Sequence, residues 1–417
     1  MQSRLRADLN AVVGAPKEII VVGASLAGLR ACEDLRRRGF DGRITLVGAE
    51  RHLPYDRPPL SKDVLRGEWE PDRIALRREG YEQLDLILEL GRRAVSLDTA
   101  GRRLELDDGR RLEFDAMVIA TGAAPRKIPG TPEELAGLFT LRTLDDAISL
   151  RSAFERNPRV VVVGAGFIGA EVAASARKLG LDVTMIEPQS APLAHALGPA
   201  IGEICAALHR DHGVQLRLGA GLEEGGIEGH GCVESLRLDD GTRIEADVVV
   251  VGIGVEPVTD WLRGSGIEVG NGIVCDSRCR TSVPGIVAAG DVAYWHNPLF
   301  DEAMRVEHWS NAVEMAGAAV ATLLDGDSAA PYAPVPNVWS DQHGVKIQTA
   351  GRIRADDRME IVQGDPAEYR FTALFGRNGR LSGVLTFRRP RQLIRYSEML
   401  ERSASWEEAL SVARGTA

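Results

Sequence analysis

Val160-Val161-Val162-Val163-Gly164-Ala165-Gly166-Phe167-Ile168-Gly169 joins a run of four valines to a Gly-x-Gly-x-x-Gly turn. A continuous β-branched run reads as a strand buried on both faces, as in a parallel sheet. The glycine turn lets backbone N–H groups and the N-terminus of the next helix approach a pyrophosphate. A helix-like stretch through Glu171-Val172-Ala173-Ala174 ends near Gly180, and Val183-Thr184-Met185-Ile186 forms the next apolar strand. Glu187 closes that strand, 18 residues after Gly169. A carboxylate there accepts the adenosine ribose hydroxyls and repels a 2′-phosphate. No Arg follows in Pro188-Gln189-Ser190, so the pattern favours NADH over NADPH.

The same unit is written once more, earlier in the chain. Ile19-Ile20-Val21-Val22-Gly23-Ala24-Ser25-Leu26-Ala27-Gly28 leads into a helix through Ala31-Cys32-Glu33-Asp34-Leu35, and Ile44-Thr45-Leu46-Val47 follows. Glu50, 22 residues after Gly28, is expected at the end of that strand. Ser25 stands where the middle glycine belongs; it is small enough to let a phosphate approach under some strain. Further apolar strands run into Gly122, Gly252 and Gly290. Beyond a Pro-rich stretch at 331–336 the pattern alternates, as in 345–348 and 369–374. The expected fold is α/β, with two Rossmann-like dinucleotide-binding domains and a C-terminal α+β domain. The first dinucleotide domain takes residues 1–122 and 247–330, the second 123–246, and the C-terminal domain 331–417.

With 50 basic and 60 acidic residues the chain carries a net charge of −10, which argues against a nucleic-acid partner. Cys32, Cys205, Cys232, Cys275 and Cys279 form no Cys-x-x-Cys pair and are read as reduced structural thiols of a cytoplasmic protein. The eight histidines form no ligand cluster, so no metal is expected. The first 18 residues lack the apolar stretch of a signal peptide, and no apolar run is long enough for a membrane span.

At Pro54-Tyr55-Asp56-Arg57-Pro58-Pro59-Leu60-Ser61-Lys62 a family pattern begins. It continues through Ala120-Thr121-Gly122 with Pro125-Arg126, Leu141-Arg142-Thr143, Gly290-Asp291-Val292, Arg305-Val306-Glu307-His308-Trp309 and Trp339-Ser340-Asp341-Gln342. From about residue 18 onward the sequence resembles the FAD-dependent ferredoxin reductases of bacterial oxygenase systems. The resemblance implies a glutathione-reductase-like arrangement, with FAD on the first unit and NADH on the second. It implies a [2Fe-2S] ferredoxin as partner, serving a cytochrome P450 or a Rieske oxygenase, and a monomer or homodimer away from membranes.

The FAD contacts so implied are Gly23, Ser25, Leu26, Ala27, Gly28, Glu50, Arg57, Lys62, Ala120, Thr121, Gly122, Arg126, Gly290, Asp291, His308, Trp309 and Trp339. Those for NADH are Gly164, Gly166, Phe167, Ile168, Gly169, Glu171, Glu187, Gly252 and Gly254. Lys62 is implied to lie near the flavin and to pair with Glu171, supplying the positive potential that a reduced, anionic flavin needs. Asp291 falls to the ribityl or pyrophosphate end, and Trp339 to the edge where electrons leave. The dipole of a helix over 309–324 would favour negative charge on the flavin pyrimidine. The pattern departs after Pro257, where Val258 replaces the usual Asn.

Arg388, Arg389, Arg391 and Arg395 concentrate positive charge around Phe387 and Tyr396, an expected docking face for an acidic ferredoxin. Competing readings in this fold are an NADH oxidase, peroxidase or disulfide reductase, a flavoprotein resembling apoptosis-inducing factor, and a nitrite-reductase-type subunit. The first needs a reactive cysteine beside the flavin, and none stands between Cys32 and Cys205.

Overall fold

The computed structural model describes residues 16–131 and 135–415, in two compact units. The first takes in the described residues up to Tyr55, Ala75–Ala123 and Pro257–Pro334; the second takes Asp56–Ile74, Ala124–Glu256 and the chain from Val335 onward.

The first unit is built on a five-stranded parallel sheet, ordered Ile286–Ala288, Ala116–Ile119, Glu18–Val22, Arg43–Gly48, Leu86–Leu90. Glu18–Val22 lies at its centre with Ile19 to Val22 buried, which is why the segment tolerates no polar residue past its first position. Helices Leu26–Arg37 and Trp309–Asp325 pack against each other and share the core of this sheet. The helix expected over 309–324 is therefore present and runs one residue further.

The second unit repeats the plan, ordered Gln215–Leu218, Val183–Glu187, Val160–Val163, Val248–Val251, Leu138–Thr140, again parallel. It also holds an antiparallel five-stranded sheet, ordered Asn337–Gln342, Val345–Gly351, Arg380–Phe387, Arg370–Arg377, Arg358–Asp365. Strand alternation divides that sheet's side chains between two cores. Val345, Ile347 and Phe371 pack with Ile201, Cys205 and Leu208 of helix Pro199–Asp211. Ala350, Leu374 and Val384 pack with Tyr396 and Leu400 of helix Pro390–Glu401 and with Trp406.

Three expectations need correction. Glu50 does not close its strand. Val22 pairs with Val47 as Val163 pairs with Ile186, so Gly48 occupies the register position of Glu187 and Glu50 lies two residues on. A methyl on Gly48 would sit 2.5 Å from the Ala24 Cβ, so no side chain fits there. Second, the strand expected from Tyr369 starts at Arg370, because Tyr369 turns in the left-handed region at φ 50°. Third, burial accounts for four of the five cysteines, but Cys232 is exposed. Among the described residues no helix is long and apolar enough to cross a membrane, and no group of His, Cys, Asp and Glu could hold a metal ion.

Candidate functional site

The two glycine turns are superimposable in their constraints. Gly23 and Gly164 adopt φ of 119° and 98°, and their N–H groups donate to Val47 O at 2.8 Å and Ile186 O at 2.9 Å. A methyl on Gly23 would stand 2.1 Å from Ala120 O; on Gly164 it would stand 2.4 Å from Gly252 O. The last glycines press on the first, since a methyl on Gly28 or Gly169 would meet Gly23 O at 1.8 Å or Gly164 O at 2.0 Å. These four glycines are demanded by the protein's own packing.

The middle position differs. A methyl on Gly166 would meet nothing within 4 Å. Ser25 and Gly166 are both extended N-cap residues, at φ −125° and −73°, with no side-chain capping bond on the helix that follows. The space above the second turn is thus open toward the N-terminus of Phe167–Lys178, the geometry that takes a diphosphate, and the first turn leads into Leu26–Arg37 in the same way. Within these helices Leu26, Ala27, Gly28 and Gly169 are buried, while Ile168 is 47 % exposed and Phe167 packs against the core cluster that includes Leu193 and Ile201.

Glu187 is held by its own turn: Ala165 N–H donates to its Oε2 at 2.8 Å and Gln189 N–H to its Oε1 at 3.0 Å. Glu50 instead accepts from the Tyr55 hydroxyl at 2.5 Å. Beside the first turn, Gly290 has φ 76° and leaves 3.2 Å between its Cβ position and Ala27 Cβ, so the Gly290–Val292 turn carrying Asp291 abuts the first helix. Ala120 N–H donates to Val22 O, and Thr121 Oγ1 donates to Val258 O at 2.8 Å. Gly122 takes φ 68° and accepts from Val258 N–H, so Val258 serves this loop through its backbone. His308 is the N-cap residue and Trp309 the first residue of helix Trp309–Asp325. In the second unit Arg126 N–H donates to Gly254 O and its Nε to Val255 O, while Gly252 N–H donates to Val163 O.

Lys62 and Glu171, distant in sequence, meet: Nζ lies 2.7 Å from Oε2, with both side chains nearly buried. Arg57, just before the short turn Pro58–Ser61, donates to Arg142 O. Four donors converge on Glu171: Lys62 Nζ, Ser61 Oγ at 2.5 Å, Ser340 Oγ at 2.8 Å and Asp341 N–H at 3.2 Å. Ser175 Oγ donates to Ser61 O at 2.6 Å and fixes that loop on the same helix. A buried ion pair is tolerated only where its remaining lone pairs are met in this way. Sequence reasoning assigned no role to Ser61 and Ser340; their signal was adjacency to Lys62 and Trp339 inside quoted motifs. Trp339, half-buried, lies opposite Gln348 on its sheet. Asp341 is pushed upward in pKa by burial, against the pull of Lys346 and Lys62.

Of the arginine cluster, Arg388, Arg391 and Arg395 are exposed, and Arg389 is half-buried, donating to Gln363. Phe387 and Tyr396 are fully buried core residues, so they do not belong to that surface. Exposed Ile394 lies between Arg391 and Arg395.

Residues 17–316 match the model of the pyridine nucleotide-disulphide oxidoreductases, and residues 337–415 that of the reductase C-terminal domain. The chain belongs to the pyridine nucleotide-disulphide oxidoreductase family, and FAD and NAD(H) are its cofactors. Its relatives include the ferredoxin–NAD(+) reductase component of the anthranilate 1,2-dioxygenase system of Burkholderia cepacia, 39 % identical over 87 % of this chain and 88 % of that one. Rhodocoxin reductase of Rhodococcus erythropolis is 38 % identical over 89 % of this chain and 87 % of its own. Putidaredoxin reductase, in its covalent complex with putidaredoxin, superimposes with a TM-score of 0.89 at 32 % identity, covering 94 % of each chain. The disulfide in the family name has no counterpart here: Cys32 is buried with its thiol pushed far above its usual range by desolvation, and no cysteine follows before Cys205.

Proposed function

We propose that this chain is a cytoplasmic NADH:ferredoxin reductase that takes a hydride from NADH and hands single electrons to a [2Fe-2S] ferredoxin serving a cytochrome P450 or a Rieske oxygenase. The observation that carries this reading is the buried Lys62–Glu171 pair in a chain carrying two diphosphate cradles and no redox cysteine pair. Bound FAD supplies the conversion of a two-electron donor into single electrons. The first turn, with Glu50, Gly290 and Asp291, holds FAD; the second, with Glu187, Gly252 and Gly254, holds NADH. Lys62, kept in place by Glu171, offers positive charge to the reduced, anionic ring, and the dipole of the helix that begins at Trp309 favours negative charge on the flavin pyrimidine. Trp339 marks the edge from which electrons leave.

The proposed division is an FAD domain at 1–122 and 247–330, an NADH domain at 123–246 and a C-terminal domain at 331–417, except that strand Val248–Val251, which pairs with Val160–Val163, and Gly252 and Gly254 after it go with the NADH domain. The exposed guanidinium groups of Arg388, Arg391 and Arg395 give an acidic ferredoxin a basic face to approach, screened over about 8 Å at physiological salt.

The test is anaerobic reduction of the yellow holoprotein by NADH, followed by steady-state turnover with a [2Fe-2S] ferredoxin and cytochrome c as final acceptor. Flavin bleaching by NADH, and cytochrome c reduction that depends on ferredoxin, are expected. Bleaching without any ferredoxin-dependent turnover would refute the reading.

A further inference from the structure

His209 is wholly buried and takes no part in the machinery above. Its Nε2 lies 3.2 Å from Gln342 Oε1, and its Nδ1 lies 3.0 Å from His343 Nε2. Gln342 Nε2 is 3.1 Å from Ser340 Oγ, which is 2.8 Å from Glu171 Oε1. Ser340 and Gln342 share one face of strand Asn337–Gln342, and both are fully buried. An unbroken polar path thus runs from His343 to the Lys62–Glu171 pair, all of it within the second unit.

The carboxylate at one end sets the direction of every hydrogen. Glu171, ion-paired to Lys62, only accepts, so Ser340 donates to it and must itself accept from the Gln342 amide N–H. That turns Gln342 Oε1 toward His209, which therefore donates through Nε2–H and accepts at Nδ1. His343 in turn donates through its Nε2–H. His209, which donates at one ring nitrogen and accepts at the other, has to be neutral for this arrangement. Desolvation pushes His209 down to about 4, with His212 acting in the same direction and the Gln342 hydrogen bond against. His343 is lowered by burial first, then by His209, His212 and Arg177. His212 stacks on His343 at 4.2 Å between ring centres and its Nδ1 is fixed by Leu208 O, so the outer end is braced as well.

We propose that His209 and Gln342 are positioning residues for hydride transfer: a one-way hydrogen-bond chain from His343 through His209, Gln342 and Ser340 saturates Glu171 and so fixes the Lys62 ammonium. The inference rests on the role proposed above for Lys62 and Glu171. An amide does not pass a proton on without becoming an imidic acid, so Gln342 transmits orientation and not protons. Without His209, the Gln342 carbonyl loses its donor, its amide can turn over, and the Ser340 hydroxyl is drawn off Glu171.

Imidazole nitrogen NMR on the holoenzyme should show His209 as the Nε2–H tautomer and His343 protonated at Nε2; a proton on Nδ1 of His209, or a bare Nε2 on His343, overturns the proposal. In stopped-flow reduction of the flavin by NADH, His209→Leu should be slower by about tenfold, the scale of a small misplacement of a reacting group. His209→Gln, which keeps a donor toward Gln342, should recover most of that rate. In a Glu171→Gln background, His209→Leu should add nothing. An equal loss in both backgrounds, or a Gln variant no better than Leu, would mean that His209 acts only through packing and would overturn it. If Glu171→Gln slows reduction but His209→Leu does not, the chain is refuted and the ion pair's role stands. If Glu171→Gln itself changes nothing, the assignment of the pair falls and the chain with it.

Discussion

The two glycine turns differ at one of their three glycine positions and at one carboxylate, and both differences separate what the fold needs from what a ligand needs. Gly23 and Gly164 are locked by the neighbouring strand's carbonyl, and Gly28 and Gly169 by the first glycine of each turn. Gly166 is locked by nothing, and in the other copy the same position has become Ser25. A glycine that the chain itself does not require leaves room for something that is not chain. The carboxylates tell a similar story. Glu187 is oriented by the backbone of its own turn, whereas Glu50, displaced two residues beyond its strand, borrows the Tyr55 hydroxyl. The carboxylate of the second turn is therefore oriented locally, and that of the first depends on Tyr55, five residues further on.

Breaking the shared constraint should have the largest effect. Gly23→Ala and Gly164→Ala each combine a forbidden φ with a methyl inside a backbone carbonyl's radius. Each should cost at least about 4 kcal/mol in chemical denaturation, and similarly in both copies. A mild loss in one copy alone would break the equivalence.

Acid should separate the units next. In the fold His209 stays neutral down to about pH 4, while an unfolded histidine takes up its proton near 6.5. The unfolded state therefore binds more protons as the pH falls through that window. Stability present above pH 6.5 is lost toward pH 4, by roughly 3 kcal/mol for this residue. None of the first unit's described histidines is buried, so hydrogen exchange at pH 4.5 should loosen the second unit first. The reverse order would contradict the assignment of His209 as a buried neutral imidazole.

Replacing the carboxylates probes ligand assignment. Glu187→Gln should lower kcat/KM for NADH relative to NADPH by about a hundredfold, near 2.7 kcal/mol, with flavin content unchanged. Glu50→Gln should do the opposite, losing flavin on dilution while keeping the NADH preference. If Glu187→Gln sheds flavin instead, the two cradles have been assigned the wrong way round.

Exchanging the middle residues should have the smallest effect and the sharpest meaning. Gly166→Ser should leave the melting temperature within about a degree, because the site is open and the backbone already extended. It should raise KM for NADH about tenfold through the closer approach demanded of a diphosphate. A large stability loss would show that the position serves packing after all.

Periodicity and glycine spacing alone determined much of this molecule. The valine runs, both turns, the helices behind them and Glu187 are local patterns, since a parallel strand buried on both faces has no choice but continuous apolar residues. Motif resemblance added expected roles for Lys62, Asp291 and Trp339. What stayed illegible was whatever depends on two segments meeting. The resemblance implied the Lys62–Glu171 pair, but Ser340 lies more than a hundred residues from both and no local rule brings it to them. Glu50 looked like the counterpart of Glu187 until strand register put Gly48 in that place. Phe387 and Tyr396 read as parts of a basic surface until the sheet and its helix closed over them. His209 looked like any helical histidine, because its neighbours in sequence do not reveal Gln342 or His343. Tertiary structure decided these because desolvation and hydrogen-bond direction belong to the packed environment, which exists only once distant segments have come together.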